Sequence, residues 1–117
     1  MWVIVSGPYT AGGADAAQRA RNLAAMNEAA VALLRAGHLP VIGVNLALPM
    51  IAAAGDAAFD EIMMPVSLAL AERCDACVRI GGPSAGADAE VERFRGAGKP
   101  VFDDLEAAIV ALTNASG

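Results

Sequence analysis

Glu90 stands six residues after Ser84 and four after Gly86 in the stretch GPSAGADAEVERFRGAGKPVF, which runs from Gly82 to Phe102. A carboxylate about one turn inside a helix can act as nucleophile or base toward a ligand held at the helix mouth. Ser84 is suited to cap that helix and to offer its hydroxyl, Gly86 lets the backbone turn tightly, and the first amides can hold an anion. The helix dipole would favour the ionised form of the carboxylate. The same residues also fit a plainer pattern, an exposed i,i+3 pair of Glu90 with Arg93, worth only tenths of a kcal/mol.

A second candidate loop, SGPYTAGG (6–13), follows the first apolar run. Gly7, Gly12 and Gly13 allow close backbone approach, and Tyr9 offers a ring and a hydroxyl. The Walker pattern fails, because Gly13 and Ala14 stand where a lysine and a hydroxyl residue are required, and no G-x-G-x-x-G occurs. The loop reads as a glycine-rich cradle for something small, or as a simple turn. Cys74 and Cys77 form a C-x-x-C, but with His38 as the sole histidine and no further cysteines they cannot close a tetrahedral site. They are expected to be buried, inert thiols, and neither a metal nor a cofactor is expected. His38, just after Gly37 at a helix end, reads as a cap or surface group, and Asp75 at a strand start reads as structural.

The elements that must position these residues follow from hydrophobic patterning. WVIVS (2–6), LPVIGV (39–44), ACVRI (76–80) and PVF (100–102) read as strands buried on both faces. RARNLAAMNEAAVALLRAG (19–37) places Leu23, Met26, Ala30 and Leu33 on one helical stripe that Gly37 ends. Helices are also predicted over 87–98 and 104–112. Between Asn45 and Arg73, LALPMIAAA and EIMMPVSLAL are apolar nearly all round, so they either roof a pocket, meet another subunit, or form an irregular core pair kinked at Pro49 and Pro65. Strands alternating with helices predict right-handed crossovers and a small doubly wound, flavodoxin- or Rossmann-like parallel sheet sandwiched by helices, with residues 1–117 as one domain. Ligands of such sheets bind beyond the carboxyl ends of the strands, where both candidate loops fall.

Of the 117 residues, 56% are hydrophobic and the formal net charge is −5. Mean hydropathy is +0.49. So apolar a small chain has too little interior to hide its side chains, which predicts a self-associating surface, a homodimer or higher homo-oligomer. The acidic balance argues against a nucleic-acid polymer as partner. The longest uncharged stretch, 36–55, is broken by glycine and proline, so no membrane span is expected, and the start MWVIVSGPY lacks the basic residues of a signal peptide, so a cytoplasmic location is expected.

Gly7-Pro8-Tyr9-Thr10, Asn22, RAGHLPV, CDACVRI and PSAGADAE…AGKPVF, in this order from Trp2 to about Asp103, together resemble the nucleoside 2-deoxyribosyltransferase-like superfamily, and within it short bacterial members of the DUF4406 type. The resemblance implies a glutamate, here Glu90, that attacks the anomeric carbon of a nucleoside or nucleotide and passes the glycosyl unit to another base or to water. It implies active sites at subunit interfaces. Ser84, six residues before Glu90, is similar to the phosphate-contacting serine of the deoxynucleoside 5'-monophosphate N-hydrolases, where the transferases carry an aspartate. Eight residues before Asp75 the better-known relatives carry a further aspartate, and this chain has Ser67 there.

Two functions follow as expectations. The first is an N-glycosidase or glycosyltransferase with Glu90 as nucleophile and Gly7, Tyr9, Gly12, Gly13, Ser84 and Gly86 around the substrate. Breaking the N-glycosidic bond also calls for an acid to protonate the leaving base, and with Ser67 in the expected place the candidates are Asp60 and Glu61, further back in the sequence. The second is a binding module for the same small molecule, with turnover lost through Ser67. A purely structural oligomer would bind nothing.

Overall fold

The β-branched run WVIVS forms the first strand, β1 (Trp2–Ser6), whose last four residues are buried. In the computed structural model, which describes residues 1–116, the chain continues through α1 (Ala16–Arg35), β2 (Leu39–Val41), α2 (Gly43–Ala54), α3 (Phe59–Arg73), β3 (Ala76–Arg79), α4 (Ala85–Gly96), β4 (Val101–Phe102) and α5 (Leu105–Ser116). Short 3-10 turns lie at Ala11–Gly13 and Asp56–Ala58.

The four strands are all parallel, in the order β2-β1-β3-β4. This is the predicted doubly wound α/β architecture. Alternation along the central strands sends side chains to two cores. Val3, Val5, Ala76 and Val78 meet Met26 and Leu33 of α1 and Ala108 and Leu112 of α5. Ile4 and Cys77 meet Ala71, Val91 and Phe94 of α3 and α4. Because the chain leaves β1 toward β2 and later returns to β3 on the other side, the topological switch point lies between β1 and β3.

Capping chemistry moves the helix starts forward of the predicted ones. Asp15 accepts from the Gln18 amide at 2.8 Å and starts α1 at Ala16 rather than 19, and Ser84 starts α4 at Ala85 rather than 87. Gly37 and Gly98, at φ 93° and 70°, supply the left-handed turns that end α1 and α4. The second strand is shorter than expected: it ends at Val41, and Gly43 and Val44 already belong to α2. Pro40 is tolerated because β2 lies on the sheet edge. The last helix runs beyond the predicted 112 to Ser116.

Pro49 and Pro65 sit inside α2 and α3, and each helix continues through its proline. Asp75 is structural, since its carboxylate accepts from the Trp2 amide at 2.8 Å while its own amide donates to the Trp2 carbonyl. His38, expected as a cap or surface group, is not at the surface: it is buried, with Nε2 3.3 Å from Thr113 Oγ1. Cys74 and Cys77 are free and buried, and burial pushes their thiols up to about 11 and about 12. Both therefore stay protonated and unreactive at neutral pH. Among the described residues no helix is long and apolar enough to cross a membrane, and no cluster of His, Cys, Asp and Glu could hold a metal ion.

Candidate functional site

Beyond the carboxyl ends of β1 and β3 lies a cavity of about 310 Å³, within the size range of small-molecule sites. Its floor and walls come from four segments. Gly7, Tyr9, Thr10 and Ala11 follow β1; Val44 opens α2; Phe59, Asp60, Met63, Met64 and Ser67 come from α3; Ser84 to Ala87 and Glu90 come from the start of α4. Of the two apolar stretches in the second crossover, EIMMPVSLAL lines the cavity through Met63, Met64 and Ser67, whereas LALPMIAAA buries Ala47 and Ile51 in the core.

The two strand-end loops are locked together by glycines. A Cβ at Gly7 would lie 3.2 Å from the Ile80 carbonyl oxygen, and one at Gly81 would lie 2.7 Å from Pro8 Cδ. Gly81 also stands at φ 76°, a conformation glycine adopts without strain. Arg79 clips the second loop from below, donating to the carbonyls of Ile80 and Gly82 and pairing with Asp88 at 3.4 Å. Asn22 of α1 secures the first loop by donating from Nδ2 to the Tyr9 carbonyl at 3.0 Å.

Glu90 is buried, with 9% of its surface exposed, and its Oε2 accepts a 2.5 Å hydrogen bond from the Ser6 hydroxyl. This removes the exposed Glu90–Arg93 pair from consideration: Arg93 pairs instead with Glu72 at 2.7 Å. The expectation that the helix dipole keeps Glu90 ionised needs correction. Glu90 lies in the second turn of α4, where the dipole's influence has faded, and burial pushes its carboxyl up to about 7 against the pull of the Ser6 hydrogen bond and the Arg79 charge. A carboxyl balanced near neutrality can serve as nucleophile, base or acid in the physiological range.

Of the residues predicted to surround the substrate, Gly7, Tyr9, Ser84 and Gly86 line this cavity with Glu90. Gly12 and Gly13 do not. They occupy an exposed 3-10 turn, with φ 70° and 69°, a conformation that the turn requires. Ser84 Oγ already accepts from the Ala87 amide at 3.2 Å, so toward a ligand it offers its O–H. Among the described residues no lysine or arginine lines the cavity, so an anionic ligand would rest on backbone amides and hydroxyls. Asp60 lines the cavity and Glu61 does not, and Ser67 forms part of the wall. Sequence reasoning passed over Ser6; the available signal was a hydroxyl ending an otherwise apolar, doubly buried strand.

Residues 2–105 match a family described as "Domain of unknown function (DUF1937)", and the chain belongs to that family. No curated protein matches the chain.

Proposed function

We propose that this member of the DUF1937 family cleaves the N-glycosidic bond of a small nucleoside or nucleotide, with Glu90 as the reacting carboxylate. The observation that carries the reading is the buried Glu90 carboxyl, tied to Ser6 in a cavity at the switch point of a parallel sheet. The ionised carboxylate attacks the anomeric carbon, the carbon–nitrogen bond breaks, and its electron pair leaves with the base, which takes up one proton. Water or a second base then attacks the same carbon and gives up a proton, and the ester to Glu90 breaks to restore the carboxylate. Among the described residues Asp60 is the other carboxyl lining the cavity, and we assign it the relay of a solvent proton to the departing base.

The apolar side chains of Tyr9, Phe59, Met63 and Met64 suit a heteroaromatic ring, and the Ser84 hydroxyl and the amides opening α4 suit the sugar or a 5'-phosphate. Self-association fits the exposed apolar side chains of Leu34, Met50 and Val110. A second reading rests on Ser67: a hydroxyl on the wall where the resemblance leads one to expect a carboxyl describes a binding module without turnover.

Chromatographic detection of free base, after incubation with a panel of nucleosides and their 5'-monophosphates, separates the two. Base released by the unmodified protein and absent with Glu90→Gln supports the enzyme; ligand-dependent thermal stabilisation without base release supports the binding module.

A further inference from the structure

We infer that Ser6 is a positioning residue for Glu90: its hydroxyl ties down Oε2 at the end of β1 and leaves Oε1 as the oxygen that meets a bound ligand. The inference rests on the reading of Glu90 as the reacting carboxylate.

Ser6 is 1% exposed and ends a strand whose preceding residues, Val3, Ile4 and Val5, are all buried and apolar. A hydroxyl in that setting is costly unless it is paired: it donates to Glu90, and it also shares a hydrogen bond with the Cys77 thiol beside it. The anchor is rigid. Ser6 is held in register with Arg79, and its carbonyl accepts from the Ile80 amide at 2.8 Å. A glutamate side chain has three rotatable bonds, and a charge-assisted bond to a fixed strand removes most of that freedom before a ligand arrives. No hydrogen bond to Oε1 is present among the described residues, and Oε1 is not sealed from solvent.

The other groups facing this carboxyl are few. Arg79, from the end of β3, contributes a positive charge, and its guanidinium is held by the Ile80 and Gly82 carbonyls and Asp88 rather than by Glu90. Cys77 on β3 and Cys74 just before it also feel the Glu90 charge, and burial keeps both thiols neutral. Ser67 and Asp60 of α3 border the same cavity. Ser6 is therefore the side chain that fixes the carboxylate's direction.

The test is the titration of Glu90 followed by carbon NMR of its side-chain carboxyl in the intact protein, for the wild type, Ser6→Ala and Ser6→Cys, with kcat and KM measured for whichever nucleoside is turned over. Ser6→Ala is expected to raise the Glu90 midpoint by about one pH unit, with the weaker donor of Ser6→Cys giving a smaller rise. At a pH where Glu90 is ionised in every variant, kcat is expected to fall roughly tenfold with KM nearly unchanged. An unmoved midpoint in both variants, or a change in KM alone, overturns the inference. Because the NMR titration needs no substrate, absence of base release in the wild type overturns the glycosidase reading separately.

Discussion

Ser67 on α3 and Gly43 at the head of α2 approach so closely that a Cβ on Gly43 would lie 2.2 Å from Ser67 Oγ and 2.9 Å from Ser67 Cβ. The cavity wall is built on this contact. Gly43→Ala is therefore expected to cost about 1–3 kcal/mol through overpacking, seen as a lower denaturant midpoint. In a Ser67→Ala background, where the nearest atom is gone, the same change is expected to cost less. Equal costs in both backgrounds would place the clash on Ser67 Cβ and Cα rather than on its hydroxyl.

The state of Glu90 makes stability depend on pH. Its carboxyl titrates near 7 in the folded protein against 4.5 as a free side chain. Between those values the folded form holds a proton the unfolded chain has lost, so stability falls as pH rises from about 4.5 and levels off above about 7. The loss is on the order of 3 kcal/mol. Glu90→Gln is expected to flatten this segment of the stability curve and to be the more stable form at pH 8, measured by denaturant unfolding across pH.

The ionised form is also the one that attacks, so turnover is expected to rise with pH through about 7 and then level, as far as Glu90 controls it. A pH–rate profile of kcat/KM checks this; an acid limb centred near 4 would mean that Glu90 is not the controlling group.

Ser84 carries two separable duties. As the cap of α4 it accepts from the Ala87 amide, and Ser84→Ala is expected to lower stability by about 1 kcal/mol. Ser84→Asp keeps the cap while placing a negative charge at the cavity, so stability is expected to hold while 5'-monophosphates lose affinity relative to the free nucleosides. Equal loss for both ligands would place the phosphate elsewhere.

The architecture was legible in the sequence because periodicity reports which faces are buried. The alternation of buried strands with striped helices led directly to the parallel sheet, and Gly37 and Gly98 marked real helix ends. Helix starts were read late, since Asp15 and Ser84 act through side-chain hydrogen bonds that hydrophobic patterning does not register. Glu90 was found by its spacing from Ser84, yet its ionisation was misjudged, because the dipole is a local property of α4 whereas burial comes from β1 and α3 folding over it. Glycines directly after a strand suit a cradle and a turn alike, and Gly12 and Gly13 form a turn outside the cavity. Ser6 escaped notice because its partner lies 84 positions away in sequence.

Glycosyl transfer through Glu90 requires a covalent bond between its carboxylate and the anomeric carbon. A nucleoside carrying fluorine at the 2' carbon slows both glycosyl steps by destabilising their electron-poor transition states, and lets the ester accumulate when its base is a good leaving group. Intact-protein mass spectrometry after incubation with 2'-fluoro nucleosides bearing such bases, followed by peptide mapping, reads that bond directly. The expected result is a gain of one fluorinated pentosyl unit, located on Glu90 and absent from Glu90→Gln. Release of base with the label on another residue, or with Glu90→Gln as active as the wild type, would contradict it.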